Sequence, residues 1–135
     1  MPDKLSFGNT FYALEKAISI AQKRNEVITS NISNLDTPGY KSKDVNFKSE
    51  LAKALETNNQ KDLVRTNSRH ISMQNSGGQD IESYEEQGEW NGYNWANIDS
   101  EMTKLTENNL VYRTAVEALL RKMALLKEVI REGGR

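Results

Sequence analysis

Residues 7–39 read FGNTFYALEKAISIAQKRNEVITSNISNLDTPG, and their spacing decides the fold. Apolar residues recur at alternating steps of four and three: Phe7, Phe11, Leu14, Ile18, Ala21, Asn25, Ile28, Ile32 and Leu35. Only Asn25 departs from the apolar rule. Such a series lays one stripe along a helix and is the heptad pattern of helices that pair lengthwise. The helix is expected to stop near Asn34. Pro38 pushes Thr37 out of the helical region, and Gly39 permits a positive φ.

The far end of the chain repeats the scheme. Ile98, Met102, Leu105, Asn109, Tyr112, Val116, Leu119, Met123, Leu126 and Ile130 follow the same alternation, again with one asparagine among them. Asn97 is placed to cap this helix, and Asp99 and Glu101 suit its positive first turn. Gly133-Gly134 ends it, after Lys127 and Arg131 near the negative end.

The fold class expected is therefore mainly α. Long N- and C-terminal helices (1–35 and 98–135) pair antiparallel in a coiled-coil-like arrangement as one discontinuous helical core, and 36–97 is a polar, loop-rich insertion with one short helix. The expected intrachain seam sets Phe11, Leu14, Ile18, Ile28 and Ile32 against Met102, Leu105, Tyr112, Val116, Leu119, Met123 and Leu126. Asn25 and Asn109 carry two readings: a polar inward residue that fixes register, or a stripe drifting to the surface.

The second helix is apolar on more than one face. Between Ala115 and Ile130, Leu120, Ala124, Leu125 and Val129 lie off the stripe. One partner helix covers only part of a circumference, so these residues need other neighbours. A bundle within one chain is the plain alternative, but the middle offers little apolar helix to complete it. Leu120, Leu125 and Val129 are therefore expected contacts between subunits, and the ends are expected to order fully only on assembly.

In the middle, Asn46 can cap a short helix holding Phe47, Leu51, Ala54 and Leu55, ending by Asn58-Asn59. Leu63-Val64-Arg65 and Ile71-Ser72-Met73 read as short extended pieces. Asn75-Ser76-Gly77-Gly78 reads as a flexible loop, and Trp90-Asn91-Gly92-Tyr93 as a small β-hairpin turn.

Composition bounds the function. The 135-residue chain is 36% hydrophobic with a mean hydropathy of −0.75 and a net charge of −1. Near-neutral charge with mixed signs disfavours general binding to nucleic acid or anionic lipid. The absence of cysteine excludes disulfides and thiolate metal sites. Met1-Pro2-Asp3-Lys4 lacks a basic segment followed by an apolar one, so no ordinary secretory signal is expected. No apolar run approaches the roughly 18 residues of a membrane span.

Catalytic motifs are not found. His70 is the single histidine, so no two-histidine metal signature exists, and a structural hydrogen bond is its simpler use. The acidic run from Asp80 to Glu89 lacks the spacing of a calcium-binding loop. Trp90, Tyr93 and Trp95 suit an aromatic contact with a neighbouring chain better than a sugar or base platform. No catalytic, metal or cofactor residues are assigned, and no cofactor is expected.

The run Asn31-Ile32-Ser33-Asn34-Leu35-Asp36-Thr37-Pro38-Gly39-Tyr40-Lys41 resembles the N-terminal signature of the bacterial flagellar rod and hook proteins. There a helix ends in Asn-x-x-Asn-x-x-Thr-Pro-Gly-Tyr-Lys. Lys43-Asp44-Val45-Asn46-Phe47, His70-Ile71 and Glu107-Asn108-Asn109-Leu110-Val111-Tyr112 are similar to the proximal rod branch, as is the short length. Trp90-Asn91-Gly92-Tyr93-Asn94-Trp95 departs from the more usual Asp-Gly-Asn stretch.

The resemblance implies a periplasmic basal-body subunit exported through the flagellar type III apparatus without signal cleavage. It implies helical stacking with itself, other rod proteins and the basal-body base, with no nucleic acid, small-molecule substrate or membrane span. The motif residues Asn31, Asn34, Thr37, Pro38, Gly39, Tyr40 and Lys41 would form a fixed exit from the first helix. A free-standing helical adaptor or chaperone and a cell-wall hydrolase are the alternatives, and the hydrolase lacks an acid placed in an apolar pocket.

Overall fold

The computed structural model describes residues 4–60 and 80–134. In chain order these are α1 (Lys4–Ser33), β1 (Lys43–Asp44), α2 (Phe47–Gln60), β2 (Tyr84–Glu85) and α3 (Ile98–Gly133). The expected pieces at 63–65 and 71–73, the loop at 75–78 and His70 lie outside the described residues.

The helix ends follow their local chemistry. α1 stops at Ser33, one residue before the expected point. Asn97 caps α3, its side chain accepting from the backbone N–H groups of Asp99 and Ser100. Asn46 caps α2, its Oδ1 accepting from Ser49 N at 3.1 Å. Each cap satisfies donors that the first helical turn leaves without intrahelical acceptors.

α1 and α3, about 45 and 54 Å long at 1.5 Å per residue, pack against each other along their length. Their sense is antiparallel. Asn31 bonds Glu101, Asn108 bonds the Ala21 carbonyl, and Lys122 lies over the Phe11 ring. α2 and β1 pack on α1, and among the described residues α2 makes no packing contact with α3.

The inner rows differ from the expected seam. On α1 the buried residues are Ala17, Ile20, Ala21, Ile28 and Asn31, with Leu14 and Arg24 half-buried. On α3 they are Glu101, Asn108 and Ala115, with Leu105, Tyr112, Leu119, Lys122 and Leu126 half-buried. Of the expected seam members Ile28 is buried, and Phe11, Leu14, Ile18, Ile32, Leu105, Tyr112, Val116, Leu119 and Leu126 are half-buried, whereas Met102 and Met123 are 48% and 49% exposed.

The cause is chemical. The true second inner row is small or polar (Ala17, Arg24, Asn31; Glu101, Asn108, Ala115, Lys122), so reading by hydrophobicity passes it over for the apolar row next to it. The buried asparagines of the seam are Asn31 and Asn108, while Asn25 is half-buried and Asn109 exposed.

The small sheet also forms elsewhere than expected. β1 and β2 pair antiparallel, Lys43 with Glu85 and Asp44 with Tyr84. Trp90–Tyr93 does make a tight turn: Gly92 has φ +92 and Asn91 N donates to Asn94 O. Its flanks pair with the Thr37–Tyr40 region instead of with each other, so it is not a hairpin. No helix among the described residues is long and apolar enough to cross a membrane.

Candidate functional site

The most densely bonded part of the chain is the exit from α1. Asn31 is fully buried there and uses every hydrogen-bonding position it has. Its Nδ2 donates to Lys43 O at 2.7 Å and to Glu101 Oε2 at 2.8 Å. Its Oδ1 accepts from Tyr40 Oη and Lys43 N, both at 3.0 Å. One side chain thus joins α1, the turn and the start of α3, and a polar group so placed is satisfied only in this geometry.

The turn itself is built by the remaining motif residues. Asn34 Nδ2 donates to Ser30 O at 2.8 Å, and its Oδ1 accepts from Thr37 Oγ1 at 3.2 Å. Pro38 follows, and Gly39 sits at φ +72, a region that disfavours any side chain. No neighbour lies within 4 Å of a Cβ added there, so Gly39 is required for its backbone angle and not for space.

Residues 91–96 form the surface on which this turn rests. Gly39 N donates to Tyr93 O and Trp95 N to Tyr40 O, each at 2.9 Å. Tyr93 Oη donates to Asp36 O at 2.8 Å, and the buried Asn94 donates from Nδ2 to Leu35 O. Asn91 shapes the turn by accepting from the N–H groups of Tyr93 and Asn94. Trp90 packs on Trp95 with ring centroids 4.4 Å apart, and Lys41 Nζ lies 5.8 Å from the Trp95 centroid. A Cβ on Gly88 would fall 2.5 Å from Trp95 O, so the chain passes that point only as glycine.

Two ion-pair groups extend the clamp. Arg24 grips Asp44 with both arms, Nε to Oδ1 at 2.7 Å and Nη2 to Oδ2 at 2.8 Å. Burial alone would raise the Asp44 pKa, but the Arg24 hydrogen bonds, the Val45 N–H and the Arg24 charge hold it below the usual carboxylate value. Arg24 is correspondingly raised, chiefly by its hydrogen bond to Asp44.

Lys104 bonds Glu101 Oε1 at 2.8 Å and also Glu86. Burial would lower its pKa, yet bonds to Glu101 and Glu86 raise it, so it stays charged. Between these groups and residues 86–91 opens a groove of about 650 Å³, with Ser42 and Trp95 in its wall. Glu86 and Glu101 on its wall both bond Lys104 and serve the clamp.

Among the described residues no group of three or more His, Cys, Asp or Glu side chains is arranged to hold a metal. What the surface offers is apolar. Leu120, Leu125 and Val129 are 60%, 61% and 67% exposed, and Leu110 and Ile130 are similarly bare.

Sequence reasoning singled out the turn residues and the exposed leucines but missed Arg24, Asp44, Asn94, Glu101 and Asn108. Charged and amide residues inside a helical seam look like surface residues until partners 20 to 87 positions away are seen.

Comparison with known proteins bears on this same region. The family model described as flagella basal body rod protein matches residues 11–41, which cover α1 from Phe11 onward and its exit turn. The chain belongs to the flagellar basal body rod protein family.

Its full-length relatives are called flagellar basal body rod protein FlgB. That of Bacillus subtilis (strain 168) is 34% identical over 129 residues, covering 94% of this chain and 97% of the relative. That of Aeromonas hydrophila is 30% identical, covering 94% and 96%. That of Escherichia coli (strain K12) is 30% identical, covering 98% and 99%.

Proposed function

We propose that this chain is a structural subunit of the proximal rod of the flagellar basal body, a section of the drive shaft. The observation that carries the reading is the Asn31 clamp. It lies within the family-matched segment and fixes the angle at which the chain leaves α1, while the long faces of the helix pair remain bare. A rigid element with unused apolar surface suits a part completed by neighbours.

The discontinuous core of α1 and α3, with 36–97 as an insertion, would stack helically with further copies and with other rod proteins and the basal-body base. Leu120, Leu125 and Val129 act as contacts between subunits, not as part of a catalytic pocket. The chain works as a building block, not an enzyme, in the periplasm, reached by type III export without signal cleavage.

Deletion of the gene tests this. The expected result is a non-motile strain that secretes its other export substrates yet builds no complete rod, restored by the intact gene. A deletion strain with complete basal bodies and normal swimming would reject the reading.

A further inference from the structure

Asn91-Gly92 is the one place in the sequence where glycine directly follows asparagine. Such a step carries a chemistry of its own. Glycine has no Cβ, so its backbone nitrogen approaches the side-chain carbon of the preceding asparagine without hindrance. Hydroxide removes the Gly92 amide proton, and the nitrogen attacks Asn91 Cγ. The new N–Cγ bond closes a cyclic imide as the Cγ–Nδ2 bond breaks and ammonia leaves. Water then opens the ring. Cleavage of the new N–Cγ bond leaves aspartate. Cleavage of the bond from Gly92 N to the Asn91 backbone carbonyl leaves isoaspartate, whose main chain runs through the side chain. The sum is amide plus water to carboxylic acid plus ammonia, with nothing oxidised or reduced.

The fold holds the reacting amide in place. Asn91 Nδ2 donates to Asn94 Oδ1 at 2.9 Å and to Ala96 O at 3.1 Å. Its Oδ1 accepts from the N–H groups of Tyr93 and Asn94, both at 2.9 Å. Every hydrogen-bonding position of the side chain is used, although the residue is exposed to water. Attack by Gly92 N makes Cγ tetrahedral and expels Nδ2, so it breaks this set. Exposure admits water and hydroxide; the hydrogen bonds set the rate.

We infer that Asn91 is a deamidation site that the folded 91–96 surface keeps closed, and that conversion there disables the α1 exit clamp. A carboxylate at position 91 has no proton to give to Asn94 Oδ1 or Ala96 O, so oxygens face one another with no hydrogen between them. Asn94 does not turn round to supply one, because its Nδ2 holds Leu35 O. Isoaspartate lengthens the main chain just before Gly92, whose φ is +92. That displaces Tyr93 O, the acceptor of Gly39 N. A chemical change in one exposed turn thus reaches the end of α1.

Full-length protein incubated at mildly alkaline pH, in native buffer and in concentrated urea, tests this. Peptide mapping by mass spectrometry follows Asn91, with chromatography separating aspartate from isoaspartate. Attack passes through an opened turn, whose population sets the rate. Conversion is expected to be more than about tenfold slower in buffer than in urea, and Asn91 is expected to convert first among the asparagines in urea. Tyr93→Phe removes the bond to Asp36 O and leaves Asn91 and Gly92 in place. It is expected to speed conversion in buffer but not in urea. Asn91→Asp is expected to unfold at a lower urea midpoint than the parent chain.

Equal rates in buffer and urea would overturn the guarding role of the fold. So would a Tyr93→Phe rate in buffer equal to the parent's. An Asn91→Asp midpoint equal to the parent's would overturn the effect on the clamp.

Discussion

Asn31 Nδ2 lies 2.8 Å from Glu101 Oε2, joining residues 70 positions apart across the two long helices. The same asparagine bonds the backbone of Lys43 twice and the hydroxyl of Tyr40. Asn31→Ala would leave Lys43 N and O and a buried carboxylate oxygen unpaired. The expected loss is about 2–4 kcal/mol, since buried orphaned groups cost about 1–3 kcal/mol each and partial relaxation recovers some of it. Urea unfolding with unchanged slope would measure it. A loss within a few tenths of a kcal/mol would show that the clamp does not hold the turn.

Gly39→Val places a β-branched side chain at φ +72, where space is open but the backbone angle is unfavourable. The expected destabilisation is about 1–3 kcal/mol, with Gly39→Asn milder because asparagine tolerates this region. In cells, Gly39→Val is expected to be secreted yet poorly incorporated into rods. Swimming at the normal rate would contradict the fixed-exit role. Gly88→Ala should fail differently, through collision with the Trp95 carbonyl, and Asn should not rescue it.

The ion pairs predict a stability profile with two limbs. The Asp44 pKa lies below the 3.8 of a free side chain. Its contribution is therefore complete above that value and is lost as pH falls through the lower folded value. The Lys104 pKa lies above 10.5, so its contribution is complete below that value and lost as pH rises through the raised one. Asp44→Asn should lower stability near neutrality by about 3 kcal/mol, because Arg24 loses its partner, and should flatten the acid limb. Melting temperatures from pH 2 to 11 for the two proteins would check this. An unchanged acid limb in Asp44→Asn would place its origin elsewhere.

Asn108 tests the polar seam from the other direction. Its Nδ2 donates to the Ala21 carbonyl at 2.8 Å, and its Oδ1 is buried without a hydrogen-bond partner. Asn108→Leu removes that orphan and adds apolar burial, so stability is expected to rise by about 1 kcal/mol. The gain is expected to come with weaker definition of helix register, read as extra amide conformers by NMR. A large destabilisation would show that Asn108 has a partner of greater weight than the Ala21 carbonyl.

These cases show what the sequence makes legible. The helices, their caps and the Gly39 turn are set by local rules, and Asn97, Asn46 and Gly39 obey them without help from the rest of the chain. The rotation of the helices about their axes is not local. Met102 and Met123 outrank Glu101 and Lys122 on any apolar scale, yet Glu101 is buried because Asn31 and Lys104 bond its carboxylate, and Lys122 lies over the Phe11 ring. The sheet is illegible for the same reason: Lys43–Asp44 and Tyr84–Glu85 have no pattern of their own, and β2 pairs with a β1 that Asn31 and Arg24 hold on α1.

A structural rod subunit is a built-in part of the basal body. Quantitative mass spectrometry of basal bodies isolated from cells carrying a tagged copy measures it most directly. The expected result is a fixed, multiple number of copies per basal body, retained through detergent and salt washes that remove loosely bound proteins. A chain abundant in the cells but absent from the washed basal bodies would contradict it.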